Sequence, residues 1–142
     1  MALTLTQTAT TLEAHVGVDE VVGIDTYWCG EGLIGLFCKA AGVERVDVRR
    51  VLQENGSEEE PRRKEVWEAR SGALMTITAE GIASGHGVHG EVLSARVTGL
   101  PAGVTFRADS SLDRRSGGKL SVTLEGRVGL GPFVSALKAL AS

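Results

Sequence analysis

Aromatic residues make up only 4% of this 142-residue chain, three Phe, two Trp and one Tyr, so its packing must rest on Val, Leu, Ile and Ala. Cysteine is nearly absent as well. Cys29 and Cys38 lie nine positions apart in a stretch of helical spacing, where about 100° per residue sends them to nearly opposite faces and argues against a disulfide. No apolar run approaches the ~18 residues of a membrane span, and no basic segment followed by an apolar core opens the chain, so a cytoplasmic protein is expected. Lys/Arg-rich stretches interleaved with aromatics are missing too. With a net charge of −3 and a pI near 5.6, the electrostatic footprint of a nucleic-acid binder is not there. A Gly-x-Ser-x-Gly elbow, a phosphate loop and a zinc-spaced Cys/His set are also lacking, which removes support for several common enzyme classes.

What is present fits one domain over 1–142, since a chain of this length buries roughly two-thirds of its unfolded surface without a staple. Its charge is graded: residues 1–42 carry five acids and one base, residues 71–142 five acids and seven bases. Residues 3–17 alternate apolar with β-branched polar side chains and predict a first strand, with a bulge near Thr10-Thr11 where the phase shifts. From Asp19, a candidate cap, apolar residues recur at helical spacing as far as Ala41. Gly23, Gly30, Gly32 and Gly35 interrupt them at about 1 kcal/mol each relative to Ala, which predicts two short helices with a break near 29–32. Gly42 is placed to cap the second helix in the left-handed conformation. Six further strands are predicted at 43–52, 63–70, 74–82, 91–97, 104–110 and 119–129, joined by short turns. A helix at 132–141 follows, opened by Pro132 and carrying Phe133, Val134, Leu137 and Leu140 on one stripe. Asn55-Gly56-Ser57 reads as a turn rather than a glycosylation site, and 58–64 as a solvated charged turn.

The order strand, helix pair, six strands, helix resembles the START-like superfamily, also called SRPBCC or Bet v 1-like, which includes polyketide cyclases. Gly42-Val43-Glu44-Arg45-Val46-Asp47-Val48 is similar to the entry into the second strand of its cyclase-like members, and 104–126 to the strand pair feeding the terminal helix. Gly99-Leu100-Pro101-Ala102 is identical to the gate-loop core of abscisic-acid receptors in that superfamily, but it falls in a later connection, where it reads as a Pro-containing turn. The resemblance implies an α+β, helix-grip fold: a seven-stranded curved antiparallel sheet with a broken N-terminal helix pair and a short C-terminal helix. It further implies an internal cavity for an apolar small molecule.

Strand alternation and helix stripes name the residues that would line such a cavity: Trp28, Leu33, Phe37, Val48, Trp67, Met75, Ile77, Phe106, Leu124, Phe133 and Leu137. Val46, Ala79, Val92, Val104, Ala108, Leu120 and Val122 belong to the same inward sets. These side chains either surround a ligand or fill a core against the helices. An alternative reading is a cyclase/dehydratase-like enzyme, in which Tyr27, Glu31, His15 and His89 move protons by general acid and base chemistry. In the competing view Tyr27 packs and Glu31 is solvated. His86 and His89 in the glycine-rich 85–90 turn have no fixed third ligand, and no metal or cofactor is expected. Arg107 with Glu125, and Arg96 with Glu80, are candidate cross-strand ion pairs on the outer face. The partners implied are an apolar small molecule and, at most, a second copy in a homodimer; a third reading is an interaction scaffold with a filled core and no ligand.

Overall fold

The computed structural model describes residues 3–85, 87–127 and 129–141. Strands β1 (Thr4–Gln7) and β2 (Thr11–Val16) precede the helices α1 (Val21–Tyr27) and α2 (Leu33–Ala41). Six strands follow: β3 (Val48–Asn55), β4 (Arg62–Ala69), β5 (Leu74–Ser84), β6 (Gly87–Thr98), β7 (Thr105–Asp113) and β8 (Gly117–Glu125), and α3 (Leu130–Ala141) closes the order. Among the described residues the strands form one antiparallel, curved and unclosed sheet in the order β1-β2-β8-β7-β6-β5-β4-β3. The α+β class is as expected, and the sheet has eight strands instead of seven.

The extra strand comes from a reversal where a bulge was expected. Thr8 Oγ1 accepts hydrogen bonds from the Thr10 and Thr11 amides at 3.3 and 3.0 Å, and the Thr8 amide donates to the Thr11 carbonyl at 2.9 Å. Threonine hydroxyls thus build a turn that would otherwise call for Gly or Asn. Val128, at the end of the expected 119–129 strand, lies outside the described residues; β8 itself ends at Glu125.

The expected break between two N-terminal helices does not occur. Trp28–Gly32 forms a π turn whose flanking residues, Tyr27 and Leu33, keep right-handed helical dihedrals, so residues 18–41 run as one continuous helical rod. One wide turn absorbs the misfit that four glycines suggested would need an interruption. Asp19 does not cap this rod either: it sits inside an opening 3₁₀ turn (Val18–Glu20) whose cap position is Gly17. At the far end Gly42 adopts φ 70°, ψ 35° and its amide bonds back to the Lys39 carbonyl, as expected of a glycine cap.

The rod and α3 cover the inner face of the sheet. Leu12 and Ala14 on β2, Leu120, Val122 and Leu124 on β8, Phe106, Ala108 and Leu112 on β7, Leu93 and Ala95 on β6, and Met75, Ile77 and Ala79 on β5 are all buried in one cluster. Val21, Ile24, Trp28, Leu33, Phe37, Phe133 and Leu137 close it from above. Phe133 ties the two helical elements together, stacking on Tyr27 with ring centroids 5.9 Å apart and lying 5.7 Å from Trp28. Two residues expected inside are instead outside: Val46 is 90% exposed in a 3₁₀ turn (Arg45–Asp47), and Val92 is 50% exposed because β6 turns Leu93 inward.

Candidate functional site

Where β4 and β6 pass the π turn, the apolar lining gives way to charge. Register places Arg63, Glu65 and Trp67 of β4 opposite Ala79, Ile77 and Met75 of β5, so all three project from the inner face. Glu91 of β6 joins them, since Gly81 and Glu91 pair in phase with Ala79 and Leu93. Arg63 holds both Glu91 oxygens, Nε to Oε2 at 3.0 Å and Nη2 to Oε1 at 2.8 Å, and its Nη1 bonds the Glu65 carboxylate. This bidentate geometry is the strong form of an arginine–carboxylate pair. The Glu91 hydrogen bond raises the Arg63 pKa further above its already high value, against the lowering effect of burial.

From the helical side, Cys29 in the π turn and Asp25 one turn earlier meet this group. Cys29 is exposed as a residue, yet its sulfur lies 3.5 Å from Arg63 Nη2 and donates to Asp25 Oδ1 at 3.4 Å. Against the lowering effect of Arg63, burial first and then Asp25 push the Cys29 thiol up to about 12, which favours the thiol over the thiolate. Burial likewise raises the Asp25 carboxyl; the Cys29 hydrogen bond opposes that shift and Glu91 adds to it. On the other flank Trp67 Nε1 donates to Glu65 at 3.0 Å, and the Arg45 and Arg50 guanidinium groups lie 5.4 and 5.9 Å from its ring centroid. A polar seam therefore runs without a gap from Asp25 through Cys29, Arg63 and Glu65 to Trp67. Beyond it, Arg50, Gln53 and Asn55 on the inner face of β3 are exposed.

The expected lining residues divide across this seam. Trp28, Leu33, Phe37, Val48, Met75, Ile77, Phe106, Leu124, Phe133 and Leu137 are buried, Trp28, Phe37 and Leu137 at 0% exposure. A side chain bordering a void wide enough for water would keep surface facing it, so around these three the apolar half is filled. Trp28 is further fixed by its indole N–H, which donates to Ser110 Oγ at 2.9 Å, the kind of partner a buried tryptophan needs. Trp67 alone of the set is half-buried.

Of the four residues expected to move protons, Tyr27 and Glu31 lie near each other on the rod, and neither histidine joins them. Tyr27 packs on Phe133, with burial and the Glu31 charge raising its pKa, and Glu31 is exposed in the π turn. His15 faces outward on β2 beside Glu13 at 3.7 Å. His89, expected in an exposed turn, is instead mostly covered, with Nδ1 bonded to Asp113 at 2.8 Å. His86 lies outside the described residues, and among the described residues no three His, Cys, Asp or Glu side chains are placed to share a metal ion. The outer-face ion pairs exist with a different acid: Arg96 and Arg107 both reach Asp109, at 3.0 and 3.5 Å.

A groove of about 580 Å³ lies on the solvent face around Glu54, Arg62, Lys64, Thr78, Glu80 and Val92, with Arg63 also in its lining. Glu54, Arg62, Lys64 and Glu80 are spread along strands there, whereas the seam gathers three groups of shifted pKa where the π turn meets β4. Chemistry therefore points to the seam over the groove. Comparison of the chain with protein-family models, with curated proteins and with solved structures finds no match.

Proposed function

We propose that this chain is a helix-grip, START-like binding module that receives an amphiphilic small molecule at the open margin of its inner face, between the π turn and strands β3 and β4. The observation that carries the reading is the contrast between the two halves of that face: apolar and filled around Trp28 and Phe37, polar from Arg63 to Trp67, where Glu65 is buried and Arg63 and Trp67 are partly exposed. A π turn and shifted ionisable groups at the same place are features that gather at functional sites. The strand order with a helical rod across it also agrees with the START-like resemblance.

Trp67 offers a flat apolar surface, and Arg45 and Arg50 beside it offer positive charge. A ligand with a planar or aliphatic body and an anionic end matches that pair. Proton-transfer catalysis has no comparable support, because Tyr27, His15 and His89 point to three different regions. Only the filled core favours a second reading, a scaffold that binds no small molecule.

Fluorescence separates the two. Trp28 is sealed and Trp67 is not, so titration with 1-anilinonaphthalene-8-sulfonate or oleate should quench about half of the tryptophan emission, and Trp67→Phe should abolish the response. The uncharged analogue 1-anilinonaphthalene should bind more weakly, and Arg50→Ala should narrow that difference. If the folded protein binds neither probe, or binds both equally in the Trp67→Phe variant, the ligand reading fails and the scaffold reading stands.

A further inference from the structure

Strand β3 forms one free edge of the sheet, and with eight residues it is twice the length of β1 at the other edge. A long exposed edge presents unpaired amides and carbonyls to any second strand. Its sequence, Val48-Arg49-Arg50-Val51-Leu52-Gln53-Glu54-Asn55, is complementary to its own reverse. Laid antiparallel on itself about a centre between Val51 and Leu52, it sets Arg49 opposite Glu54 and Val51 opposite Leu52.

The backbone agrees with the same centre. The Gly56 amide bonds the Arg62 carbonyl, and the Arg70 amide bonds the Asp47 carbonyl at 2.8 Å, so Asp47, Arg49, Leu52 and Glu54 turn their peptide groups toward β4. Val48, Arg50, Gln53 and Asn55 therefore turn theirs outward, the Val48 carbonyl accepting from Arg45 Nη1 at 3.1 Å with one lone pair left for a partner strand. The change from even to odd numbers follows from the bulge at Val51, where the β3–β4 register shifts. Antiparallel self-pairing about 51/52 matches Val48 with Asn55 and Arg50 with Gln53, which are the outward sets. A bulge ordinarily blunts an edge, but here the two bulges fall at one level and face each other. Val51 and Leu52 are 45% and 38% exposed, and pairing would cover both.

We propose that β3 pairs with β3 of a second copy across a two-fold axis, Arg49 facing the partner's Glu54, to form an isologous dimer with one continuous sheet. Dimer and ligand site share Arg50, but through different parts of it: the dimer uses its outward peptide group, whereas the ligand site uses its side chain on the inner face.

Sedimentation equilibrium on the whole chain tests it. The expected result is a reversible dimer, broken by Gln53→Pro, which removes an outward amide without touching the β4 ladder. Arg49→Glu and Glu54→Arg each place like charges at two symmetric contacts and should weaken dimerisation about tenfold, and the double variant should recover it. Circular dichroism checks that each variant is folded; should Gln53→Pro fail to fold, the charge series alone decides. A monomer at all concentrations up to about 1 mM would overturn the proposal. So would a dimer indifferent to the charge series, which would place the contact on β1, a sheet face or another surface.

Discussion

Arg63→Met removes the cation at the centre of the polar seam while keeping most of the aliphatic stem. It leaves Glu91, whose side chain is 26% exposed, without its bidentate partner and repelled by Asp25, and leaves Glu65, 11% exposed, with only Arg50 at 3.8 Å and the Trp67 indole N–H at 3.0 Å. Removing one partner of a fully buried pair costs about 3–5 kcal/mol. Solvent reaches both Arg63 and Glu91, so a loss of about 2–3 kcal/mol is expected here. Glu91→Gln keeps an acceptor for Arg63, which also retains Glu65, and should cost only about 1 kcal/mol. In the double variant one repelling carboxylate is gone as well, so the losses should fall short of additivity by about 1–2 kcal/mol. Urea denaturation with linear extrapolation measures all three, at low salt and again at 0.5 M salt, which screens surface pairs but spares partly buried ones. A loss below about 0.5 kcal/mol for Arg63→Met, or one that disappears at high salt, would show that Arg63 is a surface charge and that the seam does not hold the rod to the sheet.

Other variants probe the rod itself. Trp28→Phe leaves the Ser110 hydroxyl without its donor and opens space in the filled half, so a loss of about 2–4 kcal/mol is expected; Ser110→Ala, which strands only the indole N–H, should cost about 1–2 kcal/mol by the same denaturation assay. Nothing lies within 4 Å of where a Cβ would stand on Gly23 or Gly35, and each Ala substitution should stabilise by about 0.5–1 kcal/mol. At Gly32 the added carbon would meet Tyr27 at 2.9 Å and Phe133 at 3.2 Å, so Gly32→Ala should lower the melting temperature despite its better helix propensity. Burial raises the folded-state pKa of Asp25, so the native protein holds a proton that the unfolded chain releases first, and stability falls as pH rises from the unfolded value through the folded one. Asp25→Asn should flatten that decline, gaining stability at pH 7 and none at pH 3; a variant as pH-sensitive as the parent would contradict the assignment.

The sequence disclosed the architecture more readily than the site. Period-two stretches and Gly-rich turns placed β4 to β8 to within a few residues, because antiparallel neighbours with one apolar face leave a strong pattern. The β1–β2 reversal escaped because Thr8-Ala9-Thr10 contains no turn-specific residue and relies on hydroxyl hydrogen bonds. Counting glycines as helix breakers suggested an interruption at 29–32, yet Gly23, Gly30 and Gly35 face open space, where their cost is only conformational and the buried Trp28, Leu33 and Phe37 outweigh it. Arg63 was hidden inside the charged run 58–64. The signal that could have found it was alternation: Arg63, Glu65, Trp67 and Ala69 share one face, and two of the four are plainly inward residues. Asp25 and Cys29 needed the π turn to be known, since only the geometry of that turn brings the sulfur to Arg63.

The central claim is that the inner face is filled on one side of the seam and receptive on the other. Backbone and side-chain NMR shifts recorded during titration with 1-anilinonaphthalene-8-sulfonate test it most directly. Changes should concentrate at Arg45, Arg50, Trp67, Arg63 and the 28–32 turn, while Leu12, Val122 and Leu137 methyl signals stay fixed. Shifts centred on those three methyl groups, or on Glu54, Lys64 and Thr78 of the outer groove, would contradict it.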